Sequence, residues 1–550
     1  MYLTRISSNL RQTNRNVFES GDVAVLDRAK PNSSRTPMTH AEGGILSNAN
    51  LETLSLSGRT RVAFWLIVLL FIASRLWALT DYSLWGDEIF SLRVARQGWG
   101  GLIPTVIGDI VHPPLHYFLL KLWIDVGGES LLWLRVFPVL ISVASLFPFY
   151  ALCRALKLRA SVMNLAMYLM AVNGYLIFYS QELRMYSLLL FFTLCSLWLF
   201  VEFFENESNE SRRLVALTLV NFLLVYTHYY GWMVVGLEFI YLLGWRRRKV
   251  MRFLASCAAL VLGYLPWAYV AARRAMSVGG LGPNLGWIDR PGWRDVASYF
   301  ASLNGPYRSH LKISTGKTLG GFLLLGAPVV FWIGSTLSKH RTERGRQESN
   351  GDTSLQWFLC FFSFLPIVFC FMFSQILPQS VWLKRCLIIA AVPYLILAAV
   401  AVHRLFPRTL RITVVLLITG WAAWGGYEEM TNRDQVSWEP MVKQMLQAER
   451  LNDRGIKIYC LEKSTRLPVA FYVESAQRNQ FQVELIRDIS DVDKGGEEKA
   501  FWIAFQEAFW EKRRQSPAKY LADRGYQFGD KFESGVEGHK GILLSVRRRS

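Results

Sequence analysis

Long runs of hydrophobic residues alternate with short polar segments along most of the chain. A helix needs about 20 apolar residues to cross the hydrocarbon core of a bilayer. By this measure the sequence predicts about eleven membrane-spanning helices, at roughly 61–80, 132–153, 160–179, 187–204, 213–228, 232–245, 253–271, 318–337, 355–377, 386–403 and 411–428. The pattern therefore indicates an α-helical polytopic membrane protein.

The polar segments between the spans differ in charge. Lys and Arg concentrate in one alternate set of segments, and such segments favour the cytoplasmic side of a membrane. We therefore predict a cytoplasmic set at 154–159, 205–213, 245–252, 338–354 and 403–411. The extracytoplasmic set is then 81–131, 180–186, 227–232, 272–317 and 377–385.

The two ends of the chain lack long apolar runs. Residues 1–58 are polar and rich in Ser, Asn, Thr and Arg, which predicts a disordered cytoplasmic tail. Residues 431–550 alternate helix-like stretches, WEPMVKQMLQAERL and PAKYLADRGY, with strand-like stretches, IKIYCL, VELI, AFWIAF and GILLSV. We predict that residues 431–550 form an extracytoplasmic α/β domain with a small, mostly parallel sheet. It follows a transmembrane domain over 59–430.

The composition and the charge of the chain indicate which kinds of partner it binds. The chain is 52% hydrophobic and carries a formal net charge of +19. Residues 431–550 contain 21 Lys and Arg against 18 Asp and Glu, so most of the positive surplus lies in the short segments between spans. This placement argues for membrane lipid as a partner and against nucleic acid. The seven cysteines include no C-x-x-C pair, so neither a disulfide framework nor a zinc site is indicated.

The segments that are predicted to be extracytoplasmic contain acidic residues, histidines and other polar residues that are unusual at a membrane surface. Carboxylates at a membrane surface are costly unless they are paired or used. Two amphipathic stretches, 88–97 and 115–126, are too short to span a bilayer and suit its surface. The sequence thus predicts an acidic site at the outer membrane surface. Its polar residues are Asp87 and Glu88, His112 before Pro113 and Pro114, Glu182 and Arg184, His228 and Tyr229, His310, and Lys384 with Arg385.

The motifs DEIFSLRVA, HPPLHYFLLKLW, LRVFPVLISV and FYSQELRMYSLLL occur in that order along the chain. In order and spacing, over about 62–402, the sequence resembles the bacterial polyprenyl-phosphate-sugar-dependent glycosyltransferases of the GT-C fold class. These are related to protein O-mannosyltransferases and lipid A aminoarabinose transferases. The resemblance implies an inverting transferase that moves a hexose or pentose from a polyprenyl-phosphate donor to an extracytoplasmic protein, lipid or polysaccharide. It also implies the inner membrane as location.

The resemblance further implies roles for individual residues. Asp87 takes the place of the family's acidic residue near the acceptor nucleophile, and Glu88 is a second catalytic candidate. A positioned base is worth roughly 10²–10⁴-fold in rate. Arg385 matches an Arg that precedes a late helix in relatives, where Tyr usually follows instead of Cys386. The substrate-binding candidates are His112, Glu182, Arg184, Tyr229, Lys384 and Arg385, and a divalent metal ion is a candidate cofactor with His310 as its candidate ligand.

Other interpretations remain open at this point. Asp87 and Glu88 can simply cap the helix that follows them, and Glu182 with Arg184 can be a local ion pair. A transporter or flippase of lipid-linked precursors is the alternative function, although such proteins more often carry broken helices in paired positions and charges at the midplane. A structural or sensor protein would leave the acidic site unexplained.

Overall fold

A computed structural model of the chain describes residues 58–277, 286–307, 319–342, 350–433, 435–449, 456–478, 480–486, 488–494, 500–507, 517–536 and 539–548. Apart from its last residue, the predicted tail at 1–58 lies outside these described residues. The rest forms a helical part that ends at Thr431 and a mixed α/β domain behind it.

Each of the eleven predicted spans contains a helix. Their bounds are Gly58–Leu76, Leu131–Ala144 continued by Leu146–Ala155, Ala160–Val172 with Gly174–Ser180, Tyr186–Glu205, Glu210–Thr227, Tyr230–Trp245, Val250–Ser277, Phe322–Gly326 continued by Ala327–Thr342, Asn350–Ile376, Ile388–His403 and Arg408–Thr431. Within the described residues, eight of these, with the bent pair counted as one, are long and apolar enough to cross a membrane. The helices Gly58–Leu76, Glu210–Thr227 and Tyr230–Trp245 are shorter or more polar.

One apolar helix forms the centre of the helical part. In the span Lys384–His403, 94% of the residues in the most apolar window are buried inside the protein. The peripheral spans Arg247–Ser277 and Arg408–Thr431 bury only 22% and 17% of theirs and expose apolar side chains outward. Exposed apolar surface of this extent is what a lipid-facing helix presents. The architecture is that of a polytopic membrane protein.

The span predicted over 160–179 is broken. Its two helices meet at Asn173 at an angle of 61°. The Asn173 side chain accepts a hydrogen bond from the Leu176 amide at 3.1 Å, so it caps the second helix. The Arg75 guanidinium donates hydrogen bonds to the Ala171 and Met170 carbonyls, at the end of the first of these two helices, at 2.8 Å each. The break carries the short helix Gly174–Ser180 and the following polar turn to one end of the bundle.

Short helices cover that end. They are Gly86–Arg96 (the acidic helix), Trp99–Asp109, Leu115–Gly127, Trp293–Asn304, and the 3₁₀ turn Lys384–Leu387. The two stretches predicted as amphipathic are helical, whereas Trp99–Asp109 was not predicted. At the opposite end, Arg246 pairs with Glu205 at 2.6 Å and Lys249 with Glu210 at 2.9 Å. The segments predicted as cytoplasmic at 205–213 and 245–252 therefore lie side by side.

The C-terminal domain contains a five-stranded sheet between helices. The strands are β1 (Ile456–Cys460), β2 (Phe481–Leu485), β3 (Ala500–Gln506), β4 (Tyr526–Ser534) and β5 (Gly541–Arg548). Their order is β2-β1-β3-β5-β4. The domain's helices are Trp438–Ala448, Lys463–Ser475 (the domain helix), Asp491–Lys494 and Pro517–Ala522.

The pairing of these strands corrects one expectation. β1 is parallel to both β2 and β3, with Ile458 opposite Val483 and Tyr459 opposite Ile503. β5 is antiparallel to both β3 and β4. The sheet is therefore mixed, not mostly parallel. The antiparallel half arises because β4, an edge strand that was not predicted, forms a hairpin with β5.

Candidate active site

The acidic helix is the next helix after the first span, and its second and third residues are Asp87 and Glu88. Glu88 Oε2 accepts a hydrogen bond from the Trp85 amide at 3.2 Å, as the third residue of a capping box does. A carboxylate also complements the positive end of the helix dipole. Both features favour a helix start at this point and fix the direction in which Asp87 leaves the helix.

Glu88 is fully buried, with 0% of its surface exposed. Arg135, from the helix Leu131–Ala144, donates to both carboxylate oxygens, with 3.0 Å between Nη2 and Oε2. The Leu183 amide donates to Oε1 at 2.7 Å. A buried carboxylate is stable only when it is paired and hydrogen-bonded in this way. Glu88 therefore links three segments of the chain and has no face open to a substrate.

Asp87 occupies a different environment although it is the next residue. Its side chain is 37% exposed, and Oδ2 accepts a hydrogen bond from Arg385 Nη1 at 3.0 Å. Arg184 Nη1 lies beside it and donates to the Asp87 carbonyl at 3.0 Å and to Ser91 Oγ at 2.9 Å. Burial alone would raise the pKa of Asp87, but the charges of Arg184 and Arg385 outweigh burial and hold that pKa below its ordinary value. Asp87 is therefore ionised at neutral pH.

Glu182 is a second acid at this place. It is 2% exposed, and its buried Oε2 has no hydrogen-bond partner among the described residues. Burial, and after it the charge of Glu88, raise the pKa of Glu182 to about 7, against the lowering effect of Arg385. The site thus combines one ionised carboxylate and one carboxyl group that titrates near neutrality.

Two buried histidines approach the same residues. The rings of His112 and His228 are 5.4 Å apart between centroids. His228 Nδ1 accepts a hydrogen bond from the Tyr230 amide at 3.1 Å, so the proton of the neutral ring is on Nε2, which lies 3.5 Å from Cys386 Sγ. Burial, helped by the positive charges of Arg184 and Arg385, lowers the pKa of both histidines well below the ordinary value. They are uncharged at neutral pH.

Asp109 also lies at this site, although it was not predicted from the sequence. Its Oδ2 lies 3.8 Å from His112 Nδ1. Burial is the main cause that raises its pKa, and Arg184 opposes it. Tyr229 fixes the turn between these two residues, because its hydroxyl donates to the Ile110 carbonyl at 2.9 Å. Ile110 has a φ of 51°, a left-handed conformation that is strained for a β-branched residue.

The turn that carries Arg385 is held by tyrosines. Tyr175 donates to the Lys384 carbonyl at 2.6 Å, and Tyr299 donates to the Leu387 carbonyl at 2.8 Å. The Lys384 ammonium group itself donates to Ser298 Oγ at 2.7 Å. Lys384 and Tyr229 thus use their polar atoms to shape the site, whereas Arg385 extends to Asp87.

The structure brings together residues that are far apart in sequence. Asp87, Arg184 and Arg385 are joined by direct contacts, and the charges of these three residues shift the pKa values of His112 and Glu182. The described residues do not include His310, the candidate metal ligand. Arg135 was missed, although an arginine inside an apolar span is a signal that it pairs with a buried acid.

Comparison with solved structures finds ArnT from Cupriavidus metallidurans in two states. The apo form is 12% identical, with 88% of this chain and 98% of that chain covered and a TM-score of 0.51. The form bound to undecaprenyl phosphate is 13% identical, with 89% and 98% covered and a TM-score of 0.50. The archaeal oligosaccharyltransferase AglB from Archaeoglobus fulgidus is 12% identical over 88% of this chain and 74% of that chain, with a TM-score of 0.49.

The likeness to ArnT covers 88–89% of this chain and 98% of that chain. The chain has the GT-C fold. The resemblance drawn from the sequence motifs is confirmed at the level of the fold, which is as much as 12–13% identity shows. No family model and no curated protein matches the sequence.

The donor set in this GT-C chain is a poor fit for a metal ion. Among the described residues, no three His, Cys, Asp or Glu side chains lie close enough together to bind one. Asp87 is flanked by the guanidinium groups of Arg184 and Arg385, whose positive charges oppose a second cation. These groups suit an anion such as a phosphate instead.

Proposed function

We propose that the chain is an inverting glycosyltransferase that moves a sugar from a polyprenyl-phosphate donor to an extracytoplasmic acceptor. The observation that carries this proposal is the 3.0 Å contact between Arg385 Nη1 and Asp87 Oδ2. It combines an ionised, half-buried base with a guanidinium group at one end of a membrane-spanning bundle. A substrate with a phosphate head and a lipid tail matches that combination.

The proposed reaction is a single displacement. Asp87 takes the proton of the acceptor hydroxyl as its oxygen attacks the anomeric carbon. The bond between that carbon and the phosphate oxygen breaks, so polyprenyl phosphate leaves and the configuration inverts. Arg184 and Arg385 stabilise the negative charge that develops on the phosphate. Arg184 is buried, and Arg385 is partly buried with 18% of its side chain exposed. Both are charged at neutral pH, and charges removed from water act more strongly than exposed ones.

The base needs room for the acceptor. Arg385 engages only Oδ2 of Asp87, and among the described residues no hydrogen bond reaches Oδ1. Oδ1 is therefore the atom that we assign to the acceptor proton. Glu182 is uncharged over part of the neutral range and leaves an unpaired oxygen beside the guanidinium groups. We assign it and His112 to contacts with the sugar.

Transport of a lipid-linked precursor is the alternative function, and Glu238 is the residue that would favour it. Glu238 lies inside the bundle, where an acid often marks an ion pathway. Its oxygens, however, are engaged by Ser196 Oγ at 2.5 Å and Asn221 Nδ2 at 2.8 Å. These bonds join three helices, which supports a packing role for Glu238. The site at the bundle end supports transfer chemistry instead.

The direct test is an assay of the purified protein in lipid nanodiscs. Polyprenyl-phosphate sugars with radiolabelled hexoses or pentoses are supplied as donors, and a membrane and envelope extract supplies acceptors. Transfer of label to a protein, lipid or polysaccharide, with inversion at the anomeric carbon, is the expected result. Movement of the intact donor across vesicle membranes without transfer would support the flippase alternative and contradict the proposal.

A further inference from the structure

Residues 83–85 directly precede the acidic helix, and side chains from two parts of the protein form hydrogen bonds with their main chain. On the membrane side, Arg135 Nη2 donates to the Ser83 carbonyl at 3.5 Å, and Glu88 accepts the Trp85 amide at 3.2 Å. These bonds come from the buried ion pair described above. They fix one side of the segment directly before Asp87.

The other side is held by the C-terminal domain and the segment that leads into it. Gln435 Nε2 donates to the Ser83 carbonyl at 3.3 Å, and the Ser83 amide donates to Ser437 Oγ at 3.3 Å. Tyr472, in the domain helix, donates to the Leu84 carbonyl at 3.1 Å. Three side chains thus reach main-chain groups within four residues of Asp87, from more than 300 residues away in sequence.

Packing strengthens the same contact. Phe471 of the domain helix belongs to one buried apolar cluster with Leu84, Ile89 and Leu92. The Arg96 guanidinium lies 5.1 Å from the centre of the Phe471 ring. An exposed ion pair between Arg93 and Glu474, at 2.8 Å, closes the edge of the interface. The domain helix therefore lies directly on the acidic helix.

We propose that the C-terminal domain is a positioning element of the active site. Gln435, Ser437 and Tyr472 fix residues 83–85 and so hold Asp87 at the correct distance from Arg385. The inference deepens the proposed function and rests on it, because a base has to lie within hydrogen-bond reach of the proton that it removes. A shift of about 1 Å in such a group can cost on the order of 10²-fold in rate. Tyr472 touches no reacting atom, so it is a positioning residue.

The test compares variants of the full-length protein that remove one contact each. Tyr472→Phe deletes only the hydroxyl that holds the Leu84 carbonyl, and Ser437→Ala deletes the acceptor for the Ser83 amide. One hydrogen bond is worth about 1 kcal/mol, so kcat is expected to fall roughly 3- to 10-fold in each. The KM for the donor is expected to stay within about twofold, because the Arg385 side chain remains in place.

Two controls separate positioning from general stability. Tyr520→Phe alters a buried tyrosine of the same domain that packs on Arg524. Glu474→Gln breaks the exposed ion pair at the same interface, a contact that contributes little. In the part of the chain that the structure describes, neither residue is hydrogen-bonded to residues 83–85. Both variants are expected to keep the wild-type kcat.

A second measurement does not depend on sugar transfer. Amide hydrogen exchange of a peptide spanning residues 83–92, in nanodiscs, is expected to be several-fold faster in Tyr472→Phe and Ser437→Ala than in the wild type, and unchanged in Tyr520→Phe. Wild-type exchange in both of the first two variants, or an unchanged kcat in an active enzyme, overturns the inference. A wild-type protein that transfers no sugar refutes the proposed function, and the exchange experiment then decides on the positioning role alone.

Discussion

At the scale of residues, two neighbouring acids have opposite surroundings. Glu88 is enclosed by Arg135 and the Leu183 amide, whereas Asp87 is partly exposed and meets Arg385. From the sequence, both Asp87 and Glu88 were predicted as catalytic candidates. Consecutive helical residues point in directions about 100° apart, so one of the two can be buried while the other is exposed. The sequence alone does not show which of them is buried. Which direction is buried depends on Arg135, whose partner is 47 residues away.

Glu182 gives the site a titration near neutrality. Its pKa is raised from 4.5 to about 7 in the folded protein, so the folded state holds this proton more tightly than the unfolded chain does. Protonation of Glu182 therefore stabilises the fold fully below about pH 4.5, and the contribution is lost as the pH rises through 7.

We expect the thermal midpoint of the wild type to fall more steeply between pH 5 and pH 8 than that of Glu182→Gln, which carries no proton to lose. Differential scanning fluorimetry in detergent at several pH values measures both slopes. Asp87→Asn is a useful control, because the low pKa of Asp87 keeps it ionised over this range. Equal slopes in the wild type and Glu182→Gln would show that Glu182 is already ionised in the folded protein.

At the scale of elements, the apolar runs predicted the helices well and their interruptions poorly. The break at Asn173 has a sequence signal, since Asn-Gly is a common turn pair. Its geometry depends on distant groups, however. Gly426 of the last span crosses so close to the break that a Cβ there would lie 2.5 Å from the Val172 carbonyl oxygen. Glycine is required by that contact, which no local pattern reveals.

The C-terminal domain shows the same limit. Four of its five strands were predicted because they are short apolar runs, but β4 and the domain helix were not. β4 contains Gly529 and Asp530, residues typical of turns, at the bulge between Phe528 and Lys531. The domain helix contains Pro468, which disfavours a helix interior. Packing of Phe471 on the acidic helix supplies stabilisation that the local sequence lacks.

Arg75 provides the prediction at this scale. It is buried and donates to the carbonyls of Met170 and Ala171, which the broken helix leaves without intrahelical partners. Lysine places one nitrogen where arginine places a planar fork. We expect Arg75→Lys to leave buried carbonyls unpaired and to cost about 1–3 kcal/mol in stability. Thermal unfolding in detergent measures this loss.

Arg61→Lys is the matched control for Arg75→Lys. Arg61 lies in the same helix but is exposed, so its substitution is expected to leave the unfolding midpoint unchanged. Similar midpoints for Arg75→Lys and the wild type would mean that the break at Asn173 does not depend on Arg75.

At the scale of the whole molecule, the proposed active site and the C-terminal domain lie at the same end of the helical bundle. The acidic helix, the turn that carries Arg385 and the domain helix lie there, and the basic segments near Arg246 lie at the other end. The positive-inside rule then predicts that the active site faces the extracytoplasmic side. This orientation stays a prediction from the sequence, which carries the charge distribution between spans as a local property.

Labelling of single cysteines in intact cells tests the orientation. In a variant without the seven native cysteines, a cysteine at Lys540 of the C-terminal domain is expected to react with a membrane-impermeant maleimide. A cysteine at Ser208, in the segment near Arg246, is expected to react only after the cells are permeabilised. The reverse pattern would place the site in the cytoplasm and remove polyprenyl-phosphate sugars on the outer face as donors.

The turnover of Asp87→Asn tests the central claim most directly. Asparagine keeps the size of the side chain and an oxygen that can accept the hydrogen bond from Arg385, but it cannot accept the proton of an acceptor hydroxyl. Alanine would remove the contact with Arg385 and the basicity together, so it does not separate the two roles. If Asp87 is the base, turnover at saturating donor falls by roughly 10²–10⁴-fold, while donor binding and the unfolding midpoint stay close to those of the wild type. Near-wild-type turnover of Asp87→Asn would show that Asp87 only holds Arg385 in place and would contradict the account.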